Sequence, residues 1–297
     1  MPEQAFEQMS TNLKSIILMI MAMGCLTLTD MLIKIACQEL PIGQVMIIYG
    51  VGALLVFWGL LSIKGEAIRI SPLTNPAVIW RNVGDLIAMN GMFLALVYVP
   101  LSTVGAVIQA VPIFVTTAAV LFLGEHVGMK RVLAILIGFL GTLLIIQPGA
   151  TNFDNTISFA IVAALGMALR DIATKLVGES FSTLLLSFYS CFLFIFSGSI
   201  FLIINGVPSV NVLGNVTILA AMIVAGCLGF FFMTEAVRLG DMSVVTPFRY
   251  TRLLFSVSAG ILFLGEQINT MMVIGSVLTI FSGLYIWRRE IAIQSSN

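Results

Sequence analysis

Eight charged side chains interrupt apolar stretches of this chain: Asp30, Lys34, Asp85, Arg170, Asp171, Lys175, Arg249 and Arg252. Arg249, Arg252 and Ser256 are spaced by three and four residues, which puts them on one helical face. An arginine at the centre of a membrane helix costs at least ~2.5 kcal/mol, offset when it faces water, an acid or an anionic ligand. A guanidinium also presents a planar fork of donors that matches a carboxylate. Arg249 and Arg252 are therefore expected to bind an anionic group. The structural alternative is that they pair with Asp85 or Glu235 on neighbouring helices and fix the packing.

Asp30 and Lys34 recur as Asp171 and Lys175 at an offset of 141 residues. The same offset relates Leu121-Phe122-Leu123-Gly124-Glu125 to Leu262-Phe263-Leu264-Gly265-Glu266, and Ala95 and Ser102 to Ala236 and Ser243. Two halves of common design follow. Each Asp to Lys step of four residues lies on one helical face and predicts a near-neutral pair that can be buried as a unit. Duplication suits a gate or scaffold better than a cargo contact. Arg170 breaks the symmetry, its counterpart being Thr29, and is assigned to the cargo, with snorkelling to the interface as the alternative. Asp85 is a candidate proton site, although Arg81 four residues earlier opposes its protonation. Ser102, Gly105, Gln109, Pro112 and Thr116 form a stripe that suits either close packing or a cavity wall. Ser243, Thr246 and Tyr250 form the matching stripe, and Asn90 shares a face with Asn82. Gln109, Tyr250 and Asn90 join Arg170, Arg249 and Arg252 as candidate substrate-binding residues; Asp30, Lys34, Asp85, Asp171 and Lys175 are the candidate coupling or gating residues.

The elements that must position these groups are membrane helices. Of 297 residues, 59% are hydrophobic and only 9% charged, with net charge zero, and the mean hydropathy is +1.10. That exceeds what a soluble core of this size could hide. No basic block suggests nucleic acid. No phosphate-binding loop, metal-ligand cluster or serine-nucleophile motif occurs, so no catalytic residue, metal or cofactor is assigned and transport energy is expected from gradients. Cys25, Cys37, Cys191 and Cys227 lie in or beside apolar segments and read as packing residues. The polar N-terminus and the charges at Asp30 and Lys34 argue for a retained first span.

A span needs about 20 mainly apolar residues, and ten windows fit between the prolines, glycines and polar clusters: 15–36, 43–63, 80–99, 102–123, 131–147, 158–177, 182–204, 217–239, 244–264 and 270–287. With the N-terminus inside, ten of the fourteen Lys and Arg fall on or near the cytoplasmic face, and the opposite loops hold none. Both termini are then cytoplasmic and each half crosses five times, so the second copy is inverted. The expected fold is all-α, ten transmembrane helices as two inverted five-helix repeats, 1–150 and 151–297.

In this arrangement, with Leu-Gly-Glu ending a small-residue-rich fourth helix in each half, the sequence resembles the drug/metabolite transporter superfamily in its ten-helix EamA-type branch. The resemblance covers nearly the whole chain. It implies a carrier of small metabolites in the cell (inner) membrane, working by alternating access without ATP. The arginines favour a carboxylate-bearing or zwitterionic cargo such as an amino acid or derivative. A larger cofactor-like cargo, a flavin or nucleoside derivative, stays open, as do a passive channel or scramblase and a membrane-embedded transferase. Expected partners are the small-molecule substrate, the lipid bilayer and a coupling proton or other ion, with the protein a monomer or homodimer. Gly124 and Gly265 are expected to end their helices in the left-handed conformation, and Glu125 and Glu266 to lie at the start of the helices that follow.

Overall fold

The computed structural model describes residues 2–69, 71–111, 113–115, 117–118, 129–146, 155–177, 181–206, 212–239 and 246–294. Ten α-helices occur among them: α1 (Pro2–Glu39), α2 (Ile42–Ile63), α3 (Pro76–Tyr98), α4 (Leu101–Ile108), α5 (Met129–Ile146), α6 (Ile157–Val177), α7 (Thr183–Asn205), α8 (Val216–Leu239), α9 (Thr251–Leu264) and α10 (Thr270–Gln294). Short 3-10 turns cover Ser71–Thr74, Val212–Asn215 and Thr246–Tyr250, and no strand is present among the described residues. Among the described residues, five helices are long and apolar enough to cross a membrane, carried by α1, α2, α6, α7 and α8. The helix α3 falls outside that group, holding Arg81 and Asp85 in its apolar run.

Helix ends follow from local chemistry. Pro41 and Pro100 precede α2 and α4, where a residue without an N–H is tolerated. Asn75 caps α3 by accepting from the Ala77 N–H at 2.9 Å, with Pro76 in the first turn. Ser182 caps α7 by accepting from the Leu185 N–H at 3.1 Å. Gly265 ends α9 at φ 66° and ψ 25°, and the Glu266 N–H returns to the Gly260 carbonyl at 2.9 Å. This is the left-handed ending expected there. Hydroxyls that would otherwise sit bare in an apolar medium donate to the carbonyl four residues earlier, as Thr29, Thr142, Ser199, Ser256, Ser276 and Thr279 do.

Two expected helices differ from what forms. The fourth window was read as one helix over 102–123; the α-helix Leu101–Ile108 is instead interrupted by a turn at Gln109 and Ala110, and residues 111, 113–115 and 117–118 are helical again. The ninth was read over 244–264, whereas Thr246–Tyr250 is a 3-10 turn that passes into α9 at Thr251. Five residues are too few for periodicity to separate a repeat of 3.0 from one of 3.6.

The helices pack mainly in pairs across the two halves: α1 with α8, α3 with α6, α2 with α7, α4 with α9 and α5 with α10. Glycines set several of these contacts. A Cβ on Gly43 would come 2.5 Å from the Gly198 carbonyl oxygen, and one on Gly198 equally close to that of Gly43. Gly84 and Gly166 bring α3 against α6 in the same way, and Gly141 and Gly275 bring α5 against α10. The main core joins Met31, Met46, Leu96, Leu101, Val107 and Met222 from five helices. Large apolar side chains such as Trp58, Ile203, Leu254 and Leu262 point outward, as suits a surface solvated by lipid.

Candidate functional site

The charged residues gather in two groups. In the first, Asp85 on α3 lies one turn after Arg81, at 3.1 Å. Arg170 reaches Asp85 from α6 at 3.7 Å. Ser190 on α7 donates to Asp85 Oδ2 at 2.6 Å and accepts from Arg81 Nη1 at 3.0 Å. Arg81 also donates to the Leu186 carbonyl and to Asn82, and is buried. Arg170 bonds Asp171 Oδ1 through Nε at 2.9 Å and Nη2 at 2.8 Å. Gly84 and Gly166 explain the meeting, because only without side chains can the α3 and α6 backbones approach at Arg170 and Ala88. Two arginines and two aspartates thus alternate, and the group sums to zero charge.

In the second, Arg252 on α9 donates to Asp30 on α1 at 2.7 Å. Asp30 is only 7% exposed. The Asp30 to Lys34 pairing read from the spacing does not form. Lys34 turns instead to α3, donating to the Leu96 carbonyl at 2.9 Å and the Val99 carbonyl at 2.6 Å, where the negative end of that helix favours a cation. The expected alternative partners of the arginines differ as well. Arg252 pairs with Asp30 rather than with Asp85 or Glu235, since Asp85 is taken up by Arg81 and Arg170. Glu235 and Lys64 both line an apolar cleft formed by the ends of α2, α7 and α8.

Arg249 stands between the groups. It lies within electrostatic reach of Asp171, Arg170 and Arg252, yet among the described residues its hydrogen-bonding contact is the Met233 sulfur at 3.6 Å. Tyr250 is half-buried beside it. Tyr49 of α2 lies within the field of Asp30.

The other predicted residues are placed as follows. Gln109 is buried at the end of α4. Asn90 donates to the Leu86 carbonyl at 2.7 Å and to Ser197 of α7 at 2.8 Å, tying α3 to α7. Ser102 and Gly105 pack against α9: a Cβ on Gly105 would lie 2.5 Å from Ser256 Cβ. The helical backbone of α6 includes Lys175, but its side chain, like Glu125, Ser243, Pro112, Thr116 and the side chain of Thr246, lies outside the described residues. Glu266 caps a helix, but not the one that follows it. Its carboxylate accepts from the Leu101 N–H and, at 2.9 and 2.6 Å, from the Ser102 N–H and hydroxyl, so it sits on the positive N-terminus of α4. Among the described residues no three of His, Cys, Asp and Glu gather to hold a metal ion. Sequence reading missed Ser190 and Tyr49. The signal for the first was present: Ser190 and Ser197 lie two turns apart on α7 and contact Asp85 and Asn90, five residues apart on α3.

A helical bundle with apolar side chains outward and ion pairs gathered between its helices is the architecture of a multi-pass membrane transport protein. The chain belongs to the EamA-like transporter family, which it matches over residues 13–147 and again over 155–288. It is a metabolite transporter of the drug/metabolite type. It is 28% identical to the S-adenosylmethionine uptake transporter of Rickettsia prowazekii over 218 residues, 70% of each chain. It is 25% identical to the pseudopaline exporter CntI of Pseudomonas aeruginosa over 278 residues, 93% of this chain and 96% of that one. It is 27% identical to the riboflavin transporter of Rhizobium johnstonii over 216 residues, 71% of each. A solved protein crystal structure with 16% sequence identity superposes with a TM-score of 0.59, covering 94% of this chain and 97% of the other, which shows the fold.

Proposed function

We propose that the chain is a secondary active transporter that moves a carboxylate-bearing, zwitterionic metabolite across the cell membrane by alternating access. The observation that carries this is the pairing of charges in the interior. Arg81, Arg170, Arg249 and Arg252 face Asp30, Asp85 and Asp171, an excess of one cation, and Arg249 is the arginine with no aspartate in contact among the described residues. A cargo carboxylate supplies the acid partner that Arg249 lacks. Both Arg170 bonds fall on Oδ1 of Asp171, and its other oxygen, without a partner among the described residues, is assigned to the cargo ammonium.

The ten helices belong to ten spans, five per half, the fourth continued beyond α4 by the helical residues after Ala110, with both termini cytoplasmic and the halves inverted. The pairing of helices supports this. Exchanging α1–α5 with α6–α10 turns the α1/α8 contact into α6/α3 and maps α2/α7, α4/α9 and α5/α10 onto themselves. A twofold axis between the halves produces that pattern, and five crossings per half put that axis in the membrane plane.

A thermal-shift screen of purified protein against metabolites, then uptake of the hits into proteoliposomes, tests the reading. Arg249→Ala should weaken binding of a carboxylate cargo at least about tenfold, the loss of one charge-assisted hydrogen bond of about 1.5–3 kcal/mol. Unchanged affinity in Arg249→Ala and Arg252→Ala removes the carboxylate from the site. A second reading, a larger cofactor-like cargo, is favoured by relatives named for S-adenosylmethionine and riboflavin. The first of these compounds joins an amino-acid headgroup to a nucleoside and fits both readings; a neutral flavin would be insensitive to Arg249→Ala.

A further inference from the structure

Among the described residues Asp30 has one cationic partner, and that partner is an arginine assigned above to the cargo. The groups that face it among the described residues are Arg252 from α9, at 2.7 Å, and Tyr49 from α2. Behind them stand Arg249, within reach of Arg252, and Cys227 of α8, near Tyr49. Lys34, one turn along the same helix, is held away on the Leu96 and Val99 carbonyls of α3 and its end. At 7% exposure Asp30 has little water to solvate a charge. If a cargo carboxylate held by Arg249 also draws the neighbouring Arg252, Asp30 is left as a buried anion without a partner, and the lowest-cost remedy is a proton.

We infer that Asp30 is the proton-coupling carboxylate of the carrier: it occupies Arg252 while the site is empty and takes up one proton when a cargo carboxylate replaces it there. The inference rests on the carboxylate reading of the cargo. The exchange balances. A salt bridge between Asp30 and Arg252, a cargo carboxylate and a proton from the aqueous phase become a neutral Asp30 carboxylic acid and a salt bridge between cargo and Arg252. Carboxylate and proton cancel at the pair, and the ammonium of a zwitterionic cargo is the one positive charge that the step carries with it. Proton and cargo each favour the binding of the other, so they travel together, and an inward proton gradient drives uptake. The duplicated aspartate does not share the task, because Asp171 keeps Arg170.

Two measurements test this. The first needs no cargo. In lipid nanodiscs at neutral pH, infrared difference spectra of Arg252→Gln should show the C=O stretch of a protonated carboxyl that wild type lacks and that Asp30→Asn/Arg252→Gln abolishes; its absence from Arg252→Gln overturns the inference. The second uses the metabolite found by the screen. Wild-type affinity should tighten about tenfold for each unit of falling pH, the slope for uptake of one proton, and Asp30→Asn should show a flat profile. A wild-type slope retained in Asp30→Asn sinks the inference even if Arg249→Ala has confirmed the carboxylate. Loss of the carboxylate reading alone leaves the infrared result standing.

Discussion

At the scale of single residues, spacing identified the charged groups but not their partners. Asp30 and Lys34 lie four apart and read as a pair, yet each is drawn to another helix, Asp30 to Arg252 and Lys34 to the carbonyls at the end of α3. An i to i+4 pair offers ~0.2–0.5 kcal/mol, and a tertiary partner in an apolar interior offers more. The exception, Arg81 with Asp85, keeps its i to i+4 contact because Ser190 and Arg170 join it instead of competing for it. Glu266 is the second case. Its position after Gly265 announced a cap, but the capped helix, α4, starts 165 residues away in the chain and only the fold brings it there. Glu266→Ala should leave the buried Leu101 and Ser102 amides without their acceptor and cost about 1–3 kcal/mol. Glu266→Gln keeps an acceptor and should lose less. Thermal unfolding in detergent orders the three proteins, and equal melting of Glu266→Ala and wild type would show that the cap adds nothing.

Helix positions were the most legible feature at the scale of elements, because prolines, glycines and caps mark the ends and apolar runs mark the middles. The 3-10 turn at Thr246–Tyr250 was not, and it places Arg249 and Tyr250 in the irregular segment and Arg252 in the regular helix. Close approach of helices was also hidden, since a glycine in an apolar run carries no sign of what it faces. Gly84 and Gly59 make the contrast. A Cβ on Gly84 would lie 2.5 Å from the Arg170 backbone nitrogen, whereas one on Gly59 meets nothing within 4 Å. Gly84→Ala should force α3 and α6 apart, cost about 1–3 kcal/mol by overpacking and pull Arg170 from Asp85, lowering transport as well as melting temperature. Gly59→Ala, in the body of α2, should stabilise by about 0.5–1 kcal/mol, the gain of alanine over glycine in a helix. The pair is read in one thermal series, and a Gly84→Ala protein as stable as wild type contradicts the packing.

For the whole molecule, the offset of 141 residues has a consequence that no single contact carries. If the halves are inverted, equivalent positions lie on opposite sides of the membrane. Lys64, at the end of α2, and Asn205, at the end of α7, are such a pair, and both are exposed. The loop after Lys64 carries Arg69 and should be cytoplasmic, while the end of α7 and the residues that follow carry no cation before Arg238 and should be external. With Cys25, Cys37, Cys191 and Cys227 replaced by alanine, a membrane-impermeant maleimide should label Asn205→Cys in intact cells and Lys64→Cys only after the membrane is opened. Labelling of both from outside, or of neither, contradicts the inversion. Parallel halves would put the two positions on one face and with them Asp30 and Asp171 at one depth, so that the Asp30 to Arg252 pair and the Arg170 to Asp171 pair could not serve opposite sides of a shared cargo site. The labelling experiment therefore decides between an alternating-access carrier built on a symmetric axis and a bundle whose repeat records duplication alone.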